Sequence, residues 1–381
     1  MIDEKGPGVL LLPDFRDHLR EYGMKGNCKD IRKVLAWAMA FLLLAGSGCA
    51  TRLKSPAPAD MAVEAERREQ LKFALSLLLE RQARASVVAN KLLRANAQLC
   101  GDDIRYTFGF FAIDSGTFKP EYREVATDIG LEQGVRVWKV LPGLEAAASG
   151  LKKGDRIVEV NGKAVSDFES FTIAMKEPWE TGRLSMKVAR NDDEVVSVSL
   201  KGRPACDYRI AVIERDVVNA FADGKNVFVT TGMLRFLESD DELAIVLGHE
   251  FAHNALRHLR QMQAQSFAGM LVDLAILVFG GVDTRGLFSQ LGRLVYSKEF
   301  ESDADYMGLY FAARAGYQVE AAPLLWRRMA AEHPGGIKDT TWLASHPSTP
   351  ERAVSLKRTI EAPDDTPATP RPVSDDPHLP G

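Results

Sequence analysis

Between Met61 and about Leu99, Leu71, Leu75, Leu78 and Leu79 fall on one helical face, with Arg and Glu on the others. The stripe is too short for the several heptads of a coiled coil, so it predicts a helix packed on its own domain. Past Gly101 the period changes. Alternation over Gly134–Val140, then Ile157, Val158 and Val160, predicts short strands, with Gly150 and Gly154 in tight turns and Asn161-Gly162 as a hairpin turn. Val227–Thr230 reads as another strand, ending in a turn at Gly232. Helical spacing returns at Ser239-Asp240-Asp241-Glu242, a capping box, followed by Leu243, Val246 and Leu247. Tyr296, Phe300, Ala304 and Met307 form an apolar stripe through an acidic run, which predicts a partly buried helix. Phe267–Gly281 is apolar apart from Asp273; it is too short to cross a bilayer and reads as a buried helix. Residues 362–381, rich in Pro and Asp, read as a disordered tail.

A chain of 381 residues has room for two or three modest domains. With 46% apolar and 26% charged residues it has ordinary globular composition, which excludes a mainly disordered, collagen-like or polytopic membrane chain. A net charge of −4 leaves no electrostatic footprint for nucleic acid. Four cysteines are too few for a disulfide framework, although one pair can still matter.

The first sixty residues read as targeting. Lys25, Lys29, Arg32 and Lys33 precede an uncharged run, Val34–Ala45, which ends in Gly46-Ser47-Gly48 and then Cys49. A basic start, a short apolar core and a small-residue stop describe a secretory signal over residues 24–48. The placement of Cys49 resembles a bacterial lipobox, which implies lipidation of Cys49 as the mature N-terminus; Gly46 departs from the usual leucine. An uncleaved signal anchor is the competing reading. Ala50 is not the aspartate that retains such proteins in the inner membrane, so the resemblance implies the outer membrane, facing the periplasm. Residues 1–23 carry five acidic side chains and do not suit a signal, so Met24 reads as the translation start and the first 23 residues as an upstream extension. Residues 49–60, with Ser55-Pro56-Ala57-Pro58, read as the tether.

The run from Gly150 to Gly162, GLKKGDRIVEVNG, resembles the PDZ domain of HtrA-type proteases, and the resemblance implies a PDZ domain over residues 101–205. Such domains add an extended peptide to a sheet edge. Phe108-Gly109-Phe110-Phe111, preceded by Arg105, is the candidate loop for the peptide's carboxylate, with Gly109 and Phe110 as substrate-binding candidates; a glycine between aromatics also suits a plain strand bend. Cys100 precedes this module and Cys206 follows it. The ends of an inserted domain lie close together, so a Cys100–Cys206 disulfide would staple it to its host for roughly 2–4 kcal/mol. Two buried free thiols are the alternative.

The strongest chemistry lies in His249-Glu250-Phe251-Ala252-His253. Two histidines four apart share one helical face and can ligate one cation, while Glu250 is placed to hold and deprotonate the attacking water. HExxH, followed some fifty residues later by Ser297-Lys298-Glu299-Phe300-Glu301-Ser302-Asp303-Ala304-Asp305-x-x-Gly308, resembles the metallopeptidase family that includes HtpX, BepA and the CAAX prenyl protease. The resemblance implies Glu301 as third zinc ligand and Asp305 as the carboxylate that orients a ligand histidine. Glu299 and Asp303 are the rival pair at the same spacing. Lys298 replaces the family's usual arginine. Asn219-Ala220-Phe221-Ala222 resembles the family's segment beside the substrate cleft, making Asn219, Ala220 and Phe221 substrate-binding candidates. His346-Pro347, with Arg352 six residues after the histidine, resembles its HPxxxxR motif, where the histidine of BepA-type relatives can reach the zinc and hold the enzyme inactive. Ser348-Thr349-Pro350-Glu351 is itself a helix start, so a loop histidine at a cap is the other reading of His346. His258 reads as structural.

Together these readings predict an α+β chain. A mainly helical zincin-type protease domain with a small β-sheet is formed by a helix at 61–100 and by residues 206–361, with the β-rich PDZ domain inserted between them. The function implied is a zinc endopeptidase with one zinc ion per chain. By resemblance its substrates are unfolded or misassembled envelope proteins, it meets the membrane through a lipid anchor, and it binds no nucleic acid. A latched chaperone or assembly factor with little proteolysis is the rival.

Overall fold

The structure is a computed structural model that describes residues 59–191, 194–265, 296–332, 346 and 350–361. Residues 1–58, with the signal and Cys49, the apolar run at 267–281 and the tail at 362–381 lie outside the described residues. No helix among the described residues is long and apolar enough to cross a membrane.

In chain order the elements are α1 (Asp60–Ala95), β1 (Ile104–Thr107), β2 (Phe110–Ile113), α2 (Pro120–Ala126), β3 (Arg136–Val140), α3 (Glu145–Ala148), β4 (Arg156–Val160), β5 (Lys163–Ala164), α4 (Phe168–Thr181), β6 (Arg183–Arg190), β7 (Glu194–Lys201) and β8 (Arg203–Cys206). They continue as β9 (Arg209–Ile213), β10 (Ala220–Ala222), β11 (Asn226–Thr230), α5 (Thr231–Phe236), α6 (Asp240–Ala255), α7 (His258–Gln265), α8 (Lys298–Arg314), α9 (Ala322–Glu332) and α10 (Pro350–Glu361). This is the α+β arrangement the sequence predicts.

Strands β2-β3-β4-β6-β7 form one antiparallel sheet, with β5 hairpinned onto β4 through Asn161 and Gly162, both at positive φ (45° and 78°), as the two-residue turn requires. Val137, Ile157, Met186 and Val188 from the sheet bury against Phe171 and Met175 of α4. Helix α4 starts in a capping box between Asp167 and Ser170 and stops at Gly182. No other residue fits there: φ is +70°, and a Cβ would lie 2.6 Å from the Tyr106 ring.

Among the described residues this module meets the rest of the chain at two places. At the neck, β1 pairs only with β8 in a two-stranded ribbon, Ile104 opposite Cys206, and a disulfide joins Cys100 to Cys206. At the second place, α2 lays Tyr122, Val125 and Ala126 against Leu75 of α1, Arg68 pairs with Asp128 at 2.7 Å, and the Tyr122 hydroxyl donates to Glu214 at 2.5 Å.

The rest of the described chain is built on β10-β11-β9, in which β11 is antiparallel to β10 and parallel to β9. The side-chain amide of Gln82 from α1 covers β9 by accepting from Val212 N–H at 2.9 Å, so a helix residue caps one edge of the sheet. Helix α6 is buried from Glu242 to Asn254, an all-round burial that its central position demands. Ser239 caps it, accepting from Glu242 N–H at 3.1 Å. The reciprocal half of the predicted capping box is displaced by one residue: the Glu242 carboxylate accepts from Glu238 N–H (2.8 Å) and pairs with Arg328 of α9 (2.6 Å). The arginine competes for the carboxylate and turns it off the cap. Helices α6 and α8 cross with backbones touching. A Cβ on Gly248 would stand 2.6 Å from Gly308 O, and one on Gly308 would stand 2.7 Å from His249 Cα.

Candidate metal centre

The crossing of α6 and α8 sets the site. His249 and His253, one turn apart on α6, bring their Nε2 atoms to 3.1 Å of each other. Glu301, one turn into α8 from its Ser297 cap, faces them: its Oε1 is 3.4 Å from His253 Nε2 and its Oε2 is 3.6 Å from His249 Nε2. His346 Nδ1 completes the cluster, 3.3 Å from His249 Nε2 and 2.7 Å from Glu301 Oε1. All four side chains are buried, and their donor atoms lie within 4.8 Å of one another. Four donors bound to one zinc at roughly 2.0–2.1 Å in a tetrahedron stand about 3.3 Å apart. Imidazole nitrogen and carboxylate oxygen are the donors zinc takes, so residues and spacing fit one zinc ion.

Glu250 points into the same space. The residue is 2% exposed, its Oε1 is 3.4 Å from His346 Nε2, and its Oε2 has no hydrogen-bond partner among the described residues. Burial raises its pKa, against the lowering influence of His346 and His249. A buried carboxylate with a raised pKa and a free oxygen is equipped to take up a proton. Glu301 behaves oppositely. Burial pushes it up, but the positive charges near it on His346 and Arg352 prevail and hold it well below the usual carboxylate range, as a ligand requires. Burial holds His253 neutral.

Behind the ligands stands a second layer. Asp305 Oδ1 lies 3.0 Å from His249 Nδ1. Arg352 of α10 reaches the two buried acids of α8, donating to Asp305 through Nε (2.8 Å) and Nη2 (2.7 Å) and pairing with Glu301 Oε2 through Nη1 at 2.6 Å. Tyr296 stacks on His253 at 4.0 Å between centroids, and Trp326 meets His249 edge-on at 5.8 Å. His258 Nδ1 is 2.9 Å from His253 Nδ1. A histidine five residues past the motif leaves its helical face, which is why the sequence points to a structural His258; a break in the helix returns it to the site. Glu299 and Asp303, the rival pair, are exposed and point away.

The remaining candidates lie apart from this cluster. Ala220 and Phe221 are buried in β10, the outer strand of the sheet, which packs on α6; Phe221 stacks on Phe228 at 5.0 Å, and Asn219 stands just before the strand with its N–H on Thr230 Oγ1 at 3.2 Å. Phe110 opens β2, the outer strand of the other sheet, and Gly109 stands just before it. Gly109 sits at φ +80° with Leu144 where its Cβ would be (2.6 Å), so it is a forced close approach rather than a simple bend.

Residues 178–360 match the profile of Peptidase family M48, and residues 111–198 match that of the PDZ domain. The two overlap over the end of α4, β6 and most of β7, which the structure places in the module between α1 and β9, the strands in its sheet and the helix packed on it. The mitochondrial metalloendopeptidase OMA1 of Arabidopsis thaliana is 30% identical over 227 residues, 58% of this chain and 46% of its own. The putative beta-barrel assembly-enhancing protease of Vibrio cholerae is 32% identical over 150 residues, 35% of this chain and 31% of that protein. The chain thus spans about half the length, or less, of the curated relatives it matches. Among solved structures, the HtrA-type protease AlgW with decapeptide shows 26% identity over 26% of this chain and 30% of its own, with a TM-score of 0.21.

Proposed function

We propose that the protein is a zinc-dependent endopeptidase of the bacterial envelope, a reading supported by the match of residues 178–360 to the peptidase family M48 profile and of residues 111–198 to the PDZ profile. The observation that carries this reading is the meeting of His249, His253 and Glu301 beside a buried Glu250 whose Oε2 is unpartnered.

His249, His253 and Glu301 would hold the zinc. When bound, zinc supplies Lewis-acid polarisation of a water and of the scissile carbonyl. The residues of the chain do the rest. Asp305 and Arg352 fix His249 and Glu301 in place. Glu250 takes a proton from the attacking water on its free oxygen and delivers it to the leaving amine. The substrate strand would run beside β10, past Asn219, Ala220 and Phe221, and the groove starting at Gly109 and Phe110 would catch a segment of the same substrate. The substrates proposed are misfolded or misassembled envelope proteins, a class supported by the similarity to the beta-barrel assembly-enhancing protease. Lipidation of Cys49 after a signal at 24–48, an outer-membrane location facing the periplasm, and the division into 101–205 and 206–361 belong to the same proposal.

A second reading has its own observation. His346 Nδ1 stands where a fourth zinc donor would, which favours a latched form that binds clients and seldom cleaves them. Purified protein from Ala50 onward separates the two. The endopeptidase reading expects one zinc per chain and casein cleavage that a chelator stops and zinc restores. Zinc-loaded, folded protein that leaves casein intact even with His346 removed would overturn it in favour of the chaperone.

A further inference from the structure

Among the described residues, His258 is the one histidine near the cluster that no part of the proposed mechanism uses. It lies beyond the motif helix, yet it is 2% exposed and its Nδ1 is 2.9 Å from the Nδ1 of His253. The backbone goes out of its way to put it there. Helix α6 ends at Ala255, and Arg257 then adopts φ 56°, a left-handed conformation that a residue with a long side chain seldom takes. The turn is tied on both sides, by Arg257 N–H to Asn254 O at 3.0 Å and by Gln261 N–H to Arg257 O at 3.1 Å. Its result is that α7 starts with His258 folded back over the ring of His253. Phe300, next to Glu301 on α8, stacks on His258 at 4.4 Å and 16°, while His253 meets the same ring edge-on at 5.0 Å and 74°. The His258 ring is thereby held between an element that carries two ligands and an element that carries the third.

The atoms decide the protons. His253 faces the cluster with Nε2, which is 3.1 Å from His249 Nε2 and 3.4 Å from Glu301 Oε1, so that nitrogen must keep its lone pair free and the ring proton must sit on Nδ1. The group at that proton is His258 Nδ1, which must therefore accept and carry its own proton on Nε2. We propose that His258 is a positioning residue for His253, accepting its Nδ1–H and so locking the ring in the orientation and tautomer that present Nε2 to the metal. This rests on the zinc-site reading above. It gives the second histidine an imidazole partner in the place that Asp305 fills for the first.

The test is zinc affinity by competition with a chromogenic chelator, in the wild type, His258→Phe and His258→Gln. Phenylalanine keeps the stack on Phe300 and removes the acceptor; its affinity falls roughly 10–100-fold, the range for lost outer-layer partners. Glutamine restores an acceptor oxygen and recovers most of that loss. Wild-type affinity in the Phe variant overturns the proposal, and so does equal loss in both variants. Long-range proton–nitrogen spectra of the wild-type imidazoles decide the point even where a variant does not fold. His258 protonated on Nε2 and His253 on Nδ1 support it, and His258 protonated on Nδ1 refutes it. A wild type that takes up no zinc refutes the metal-site reading instead, and the spectra still report the hydrogen bond.

Discussion

Gly248 and Gly308 hold α6 and α8 in backbone contact. A Cβ on Gly308 would fall 2.7 Å from both the N and the Cα of His249. The crossing brings the carboxylates of α8 to the histidines of α6, so the glycine is as much part of the site as the ligands. Gly308→Ala is expected to force the helices apart, at about 1–3 kcal/mol of stability. It should also weaken zinc binding. Thermal melts and zinc titration check both; an unchanged melting temperature with unchanged zinc affinity would show that the helices have slack.

The register of the acidic run is testable in the same way. Glu301 and Asp305 are buried on the inner face of α8, and Glu299 and Asp303 are exposed. Glu301→Gln should lower zinc affinity at least tenfold, and Glu299→Gln should leave it within experimental error. The opposite pattern would move the third ligand.

Much of this site was legible before any coordinates. Two histidines four apart on a capped helix can only share a face, whereas helical period alone leaves Glu301 with Asp305 and Glu299 with Asp303 equivalent, and it is the family resemblance that singles out the first pair. What the sequence hid depends on chain paths it does not encode locally. His258 returns to His253 only because Arg257 breaks the helix in a left-handed turn. Arg352 reaches two acids because α10 packs across α8, a contact between residues 47 apart. The capping box at Ser239 was half right, since Arg328 from a helix far along the chain draws off Glu242. The second junction of the inserted module, Tyr122 on Glu214, had no sequence signal at all.

Chelator-treated protein should respond to pH through His346. Burial lowers its pKa, but Glu250 and Glu301 outweigh that and raise it to about 9. In the unfolded chain the value is near 6.5. A group held above its unfolded value stabilises the fold fully below about pH 6.5, and that contribution is lost as the pH rises through about 9. The melting temperature of the metal-stripped wild type should therefore fall across this window, and His346→Gln should flatten the fall. Parallel curves for the two proteins would count against it.

The Cys100–Cys206 disulfide closes a loop of 106 residues at the neck of the inserted module. Reduction, or paired substitution by serine, should cost about 2–5 kcal/mol in denaturant unfolding while leaving the zinc ligands in place. Loss of zinc on reduction, without loss of fold, would mean the staple supports the site directly.

The most direct test of the whole account is casein cleavage by the zinc-loaded protein in a His346→Ala background, with and without Glu250→Gln. Removing His346 opens the fourth position, and the Gln variant keeps the shape of residue 250 while taking away its capacity to accept a proton. The account predicts cleavage in the first protein and a loss of at least a hundredfold in the second, with zinc content equal in both. Equal cleavage by the two, or none by either while zinc is bound and the fold intact, would contradict it.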